Sequence, residues 1–207
     1  MESKKNYLKF AILLAVITVS YNMVEGIVAV YFGLEDQTLA LFGFGLDSFV
    51  EVISGVGIWH MVLRIQENED DHRDDFEKTA LKITGVAFYL LAVGLFITST
   101  YNLITGSKPE TTFWGVVISS ISILVMWWLM YNKKKVANIL HSDAMLADAN
   151  CTRVCMQLSF VLLIASLGYE VFHIKSIDAI GSFMISGISF KEGREAFAKS
   201  MNRSDCC

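Results

Sequence analysis

The stretch LALFGFGLDSFVEVISGVGIWHMVL, residues 39–63, decides the fold. It is long enough to cross a hydrocarbon layer, which takes about 20 mostly apolar residues. Yet it carries two acids, Asp47 and Glu51, near its middle. A charge at the bilayer centre costs roughly 2.5–3.5 kcal/mol even on lenient insertion scales, so each acid calls for a partner or a function. Spaced four apart, the two carboxylates leave one face of a helix about one turn from each other. Gly43 and Gly55 extend that face at either end and admit a second backbone closely.

Five more apolar runs flank this one, at roughly 10–32, 80–104, 112–131, 145–168 and 172–190. Together they predict an all-α membrane protein, a six-helix bundle with a cytoplasmic N-terminus 1–9, a transmembrane domain 10–191 and a short tail 192–207. Composition agrees: of 207 residues, 54% are hydrophobic and only 18% charged, where a soluble domain carries about a quarter. A net charge of −4 leaves no basic surplus for phosphates, which excludes nucleic acid as a partner. Four cysteines among so many residues imply no disulfide framework. The single proline, Pro109, falls in a connection and breaks no span.

Lysine and arginine placement sets the orientation. With the N-terminus inside, the inner segments hold fourteen: Lys4, Lys5, Lys9, Arg64, Arg73, Lys78, Lys82, Lys133, Lys134, Lys135, Lys191, Arg194, Lys199 and Arg203. The outer connections hold two, Lys108 and Lys175, while Arg153 lies in the fifth span. Both termini are therefore expected in the cytoplasm. The first apolar run is too long for a signal peptide core and reads as a retained helix. The inner loop Gln66–Lys78 gathers Glu67, Glu69, Asp70, Asp71, Asp74, Asp75 and Glu77 around His72. It reads either as a cation-attracting vestibule or as a solvated linker held extended by its own repulsion.

Two carboxylates one turn apart in low dielectric persist if one is protonated or if a cation lies between them. The alternative is a basic partner on another helix, and Arg153 is almost the only one inside the spans. The fifth span offers a second pair at the same spacing, Cys151 and Cys155. Read alone, two cysteines in a membrane helix are small packing residues. Beside Asp47 and Glu51 they complete two oxygen and two sulfur donors, the tetrahedral set of a zinc-like ion. A dithiol redox pair is the other option, although the C-x-x-C spacing is missing.

Other polar positions are supporting candidates for proton handling. Glu25 shares a small, polar face with Asn22, Gly26, Ala29 and Gly33; it either passes protons or ions, or bonds a neighbouring helix. Asp178 heads a stripe Asp178, Ser182, Ser186, Ser189, Gly193 that reads as tight packing, with Asp178 as a gate. Gly115, Ser119 and Ser122 form a similar packing face. Asp148, at the inner end of the fifth span, is either solvated or paired with Arg153 or the Lys133–Lys135 cluster. Cys206 and Cys207 end the chain as soft-metal donors, acylation sites or an unstructured reduced tail.

Three segments carry a family resemblance: FGFGLDSFVEVISGVG (42–57), SDAMLADANCTRVC (142–155) and, more weakly, SIDAIGSFMISGISFKEG (176–193). The chain from about Tyr21 to Phe197 resembles the cation diffusion facilitator, or cation efflux, family. The first segment is similar to that family's second helix with its D-x-x-x-D/E metal pair. In the second, Ala147-Asp148-Ala149 match the opening of the fifth helix, which puts Cys151 at a histidine position and Cys155 at an aspartate position. The resemblance implies export of a divalent metal by alternating access, coupled to inward proton movement, at a site of Asp47, Glu51, Cys151 and Cys155. It implies a transporter rather than an enzyme, with the metal as cargo and no permanently bound cofactor.

Two departures from the family pattern shape the expectation. Cysteine in place of histidine and aspartate favours softer ions, with zinc expected first and cadmium, iron(II) or copper as alternatives. Members usually carry a metal-binding C-terminal domain that helps them dimerise, and the tail 192–207 is too short to supply one. The His-rich loop between spans four and five is replaced by Asn132–Leu140. The expected partners are a metal cation, protons and the lipid bilayer of the cell membrane, with a homodimer left open. Two rival readings stand beside transport: a metal-responsive membrane sensor or accessory subunit, and a membrane thiol oxidoreductase using Cys151 and Cys155.

Overall fold

A computed structural model describes residues 2–67, 75–105, 112–140, 143–172 and 177–201. Among these residues six helices follow one another: α1 (Glu2–Glu35), α2 (Leu39–Glu67), α3 (Asp75–Thr105), α4 (Phe113–Leu140), α5 (Asp143–Phe172) and α6 (Ile177–Met201). Among the described residues there is no strand. The helices run past the apolar spans because hydropathy marks the hydrocarbon, whereas main-chain hydrogen bonding continues into polar sequence. Thus α4 carries on through Lys133, Lys134 and Lys135 to Leu140.

Among the described residues, five helices contain segments long and apolar enough to cross a membrane: Asn6–Glu35, Leu39–Gly57, Gly85–Thr105, Phe113–Leu140 and Thr152–Phe172. The stretch 172–190, expected as the sixth span, is divided: Phe172 ends α5 and α6 begins at Ile177. Over its described residues α6 falls short of the same apolarity, and the burial pattern explains why. It turns Asp178, Ser182, Ser186 and Ser189 into the bundle and Ile180, Met184 and Phe190 outward. In its polar stripe Asp178, Ser182 and Ser186 hydrogen-bond within the protein, and its apolar stripe faces outward, an arrangement that averages poorly in a hydropathy sum.

Packing pairs α1 with α2, α3 with α6, and α4 with α5. Helix α2 is the hub, touching α1, α3, α5 and α6. Glycines set the α1–α2 approach. A Cβ on Gly33 would come within 2.5 Å of the Phe42 nitrogen, and one on Gly45 within 2.8 Å of the Val30 nitrogen. The intervening turn closes with Gln37 in the left-handed region (φ 56°) and the Thr38 N–H donating to the Gly33 carbonyl at 2.9 Å, a helix-ending six-to-one bond.

Two apolar clusters form the core. One joins Ala11 and Leu14 of α1 with Met126, Leu129 and Val136 of α4 and Cys155 of α5. The other draws on all six helices, through Ala29, Phe44, Leu95, Ile118, Leu162 and Ile185 among others. Along α1 the residues between the clusters are Thr18, Asn22 and Glu25; along α4 they include Ser119 and Ser122. A polar layer therefore lies between two apolar ones, and α2 adds Asp47, Ser48 and Glu51 to it.

Candidate metal site

Helix α2 turns Asp47, Ser48, Glu51 and Gly55 into the bundle while Ile53, Val56 and Leu63 face out. The i, i+4 spacing thus buries both acids on one side, Asp47 at 1% exposure and Glu51 at 8%. Asp47 Oδ1 and Glu51 Oε2 have no hydrogen-bond partner among the described residues. Carboxylate oxygens are strong acceptors, and a buried one without a donor marks a place where water or an ion belongs.

Cys155 of α5 is buried, carries no disulfide, and its thiol interacts with the Glu51 carboxylate. The structure thus brings α5's Cys155 to the acid pair of α2. The Cys151 side chain lies outside the described residues, as do Cys206, Cys207 and the acidic stretch around His72. Among the described residues, no three His, Cys, Asp or Glu side chains already stand together closely enough to hold a metal.

Glu25 enters the same layer from α1. Tyr21 Oη donates to its Oε1 at 2.8 Å and Ser48 Oγ to its Oε2 at 3.1 Å; Ser122 of α4 also hydrogen-bonds it. Ser159 Oγ of α5 lies 2.9 Å from both the Ser122 hydroxyl and the Cys155 carbonyl oxygen. Four helices are thereby linked through one polar chain. The charges of Glu51, Glu192 and Glu25 bear on Asp47, and those of Glu25 and Asp148 bear on Glu51. So many acids in one buried layer form a strong attractor for a cation.

Lys133 supplies the opposite charge that acts on Glu51. It is buried at 3% exposure, its Nζ 2.8 Å from Asp148 Oδ2 and donating to Thr152 Oγ1 at 2.9 Å. Of the partners open to Asp148, the structure selects the first lysine of the cluster, and Arg153 points outward. The sequence offered the three lysines as a group without singling out Lys133, but its phase carries a signal. Ser122, Met126, Leu129, Lys133 and Val136 recur at three- and four-residue spacing, and all are buried.

Asp178 serves the N-terminus of α2. Its Oδ2 accepts the Leu39 N–H at 3.0 Å and its Oδ1 the Ala40 N–H at 3.2 Å. These are orphan donors of a helix start, here satisfied by a carboxylate from another helix and favoured by the helix dipole. The residue holds in position the helix that carries Asp47 and Glu51.

A multi-pass bundle of apolar helices around a buried layer of acids is an architecture suited to moving a cation across a membrane. The chain belongs to the cation efflux family: the family model described as the cation efflux transmembrane domain matches residues 11–203. One relative, the mitochondrial metal transporter 2 of Saccharomyces cerevisiae, is 35% identical over 95 residues, 46% of this chain. That match spans 20% of the length of the yeast protein.

Proposed function

We propose that this chain carries a divalent heavy-metal cation out of the cytoplasm, held between Asp47 and Glu51 of α2 and Cys151 and Cys155 of α5. Zinc is the first expected cargo, and cadmium or iron(II) fit the same mixed donor set. The observation that carries the reading is the buried, unpartnered oxygens of Asp47 and Glu51 with the Cys155 thiol against Glu51. The yeast relative bears the name of a metal transporter, which supports the same class of cargo.

A metal ion binds thiolate and carboxylate, so loading displaces protons and protons compete for the emptied site. Exchange of outward metal for inward protons then follows from the donor chemistry. Movement of the helices that carry the two pairs would turn the site from one side to the other. Asp148 is held by Lys133 and Asp178 by the start of α2, so both support the site from its flanks. The cell membrane with both termini cytoplasmic remains the proposed setting.

The test is metal flux into proteoliposomes holding the purified chain and a zinc- or cadmium-sensitive dye. Asp47→Asn and Cys155→Ser are expected to abolish flux, and an outward proton gradient to change its rate. Binding of metal by the wild type with no flux would replace transport by sensing. Normal flux in a Cys151→Ala, Cys155→Ala double variant would remove the sulfur donors from the site.

A further inference from the structure

Helix α1 brings a donor set that the α2–α5 site leaves unused. Asn22 is completely buried, and neither its amide oxygen nor its amide nitrogen has a hydrogen-bond partner among the described residues. An orphaned buried amide is costly, and a native fold keeps one where something outside the chain satisfies it. Glu25, three residues on, lies on the same helix face.

The helix register sets both residues against the α2 acids. Helices α1 and α2 run antiparallel, with Gly33 against Phe42, Val30 against Gly45, Gly26 against Phe49 and Val19 against Gly55. By that ladder Glu25 is level with position 50, between Asp47 and Glu51. At 1.5 Å rise per residue, Asn22 lies only about 3 Å along the axis from the level of Glu51. The Tyr21, Ser48 and Ser122 hydroxyls fix the Glu25 carboxylate in this layer. Three hydroxyls leave one of the roughly four lone-pair positions of the Glu25 carboxylate open.

We propose that a hard divalent cation draws Asn22 and Glu25 together with the unpartnered oxygens of Asp47 and Glu51 into an oxygen-only position on the α1 side of the acid pair, side chains that do not stand close enough to hold an ion without that movement. Its donors are three carboxylates and an amide carbonyl, the set that hard cations prefer, whereas the side toward Cys155 offers sulfur to soft ones. The two positions share Asp47 and Glu51, so occupation of one opposes occupation of the other. The position shares its acids with the transport site proposed above but requires neither Cys151 nor transport.

The test uses the purified full chain in nanodiscs, with Mn2+ as the hard probe followed by loss of its free electron paramagnetic resonance signal and Cd2+ as the soft probe followed by calorimetry. Asn22→Leu and Glu25→Gln are expected to weaken Mn2+ binding about tenfold or more and to leave Cd2+ within about threefold; Cys155→Ser does the reverse. Asn22→Leu guards against misfolding, since it removes an orphaned amide at similar volume; its metal-free unfolding temperature should not fall. Equal Mn2+ affinity in Asn22→Leu and wild type would overturn the proposal and leave Asn22 a water ligand. Equal weakening of both ions would also overturn it, in favour of one shared site. A failure of the transport reading looks different: Mn2+ and Cd2+ bind with these dependences, but neither crosses a proteoliposome membrane.

Discussion

Lys133→Met should unfold the protein far more readily than loss of a surface lysine would. The ammonium is 2.8 Å from Asp148 with side-chain exposures of 3% and 10%, so solvent screens the pair little. Removing it leaves Asp148 as a buried anion and takes a donor from the Thr152 hydroxyl. Breaking a buried pair by deleting one partner costs about 3–5 kcal/mol, whereas an exposed pair is worth roughly 0–1 kcal/mol. For a chain of this length, about 2–4 °C per kcal/mol converts that loss into a fall of roughly 6–20 °C in Tm. The assay is thermal unfolding of the detergent-purified, metal-free chain, followed by tryptophan fluorescence. Lys133→Met, Asp148→Asn removes both charges and should recover at least half of the loss. A single variant within about 2 °C of wild type would show that the pair behaves as a surface contact, and the buried-charge account would then be wrong.

Four other outcomes follow from the geometry. Gly33→Ala must push its methyl against the Phe42 backbone and separate α1 from α2, costing about 2 kcal/mol or more in the same unfolding assay. Gly94→Ala meets nothing within 4 Å and should stabilise by roughly 0.5–1 kcal/mol; a loss there would refute the open space assigned to it. Asp178→Ala strips two acceptors from the start of α2 and should lower stability by about 1–2 kcal/mol, with faster amide exchange at Leu39 and Ala40; unchanged exchange would refute the cap. Gln37→Gly relieves a left-handed residue and should gain about 1 kcal/mol, and a lowered Tm would show that the Gln37 side chain matters more than its backbone.

The all-helical bundle was legible because apolar runs as long as residues 39–63 admit few other structures. The inward direction of Asp47 and Glu51 was equally plain, since any other face would set two acids in lipid. Lys133 was not legible in the same way. A lysine run reads as solvated by composition, and only helical phase against Met126 and Leu129 separates the first member from the other two. Asp178 illustrates a harder limit: it finds its role in a contact that no periodicity encodes, with main-chain groups 139 and 138 residues away, whereas Tyr21 meets Glu25 at plain i, i+4 spacing. Helix α6 shows the converse, where a buried serine stripe lowers the hydropathy of a helix whose outer face is apolar.

The bond from Asp178 to α2 also distributes mutational tolerance unequally. Its acceptor is a side chain and its donors are main-chain N–H groups, so nearly any residue at 39 or 40 can still make the contact. Proline is the exception, because it lacks the N–H, even though a helix start normally welcomes it. On the α6 side the opposite holds: a residue must offer two acceptor oxygens at that reach, which leaves aspartate almost without substitutes. One end of this link can drift freely in sequence while the other stays fixed, with the helix that carries Asp47 and Glu51 held by the fixed end.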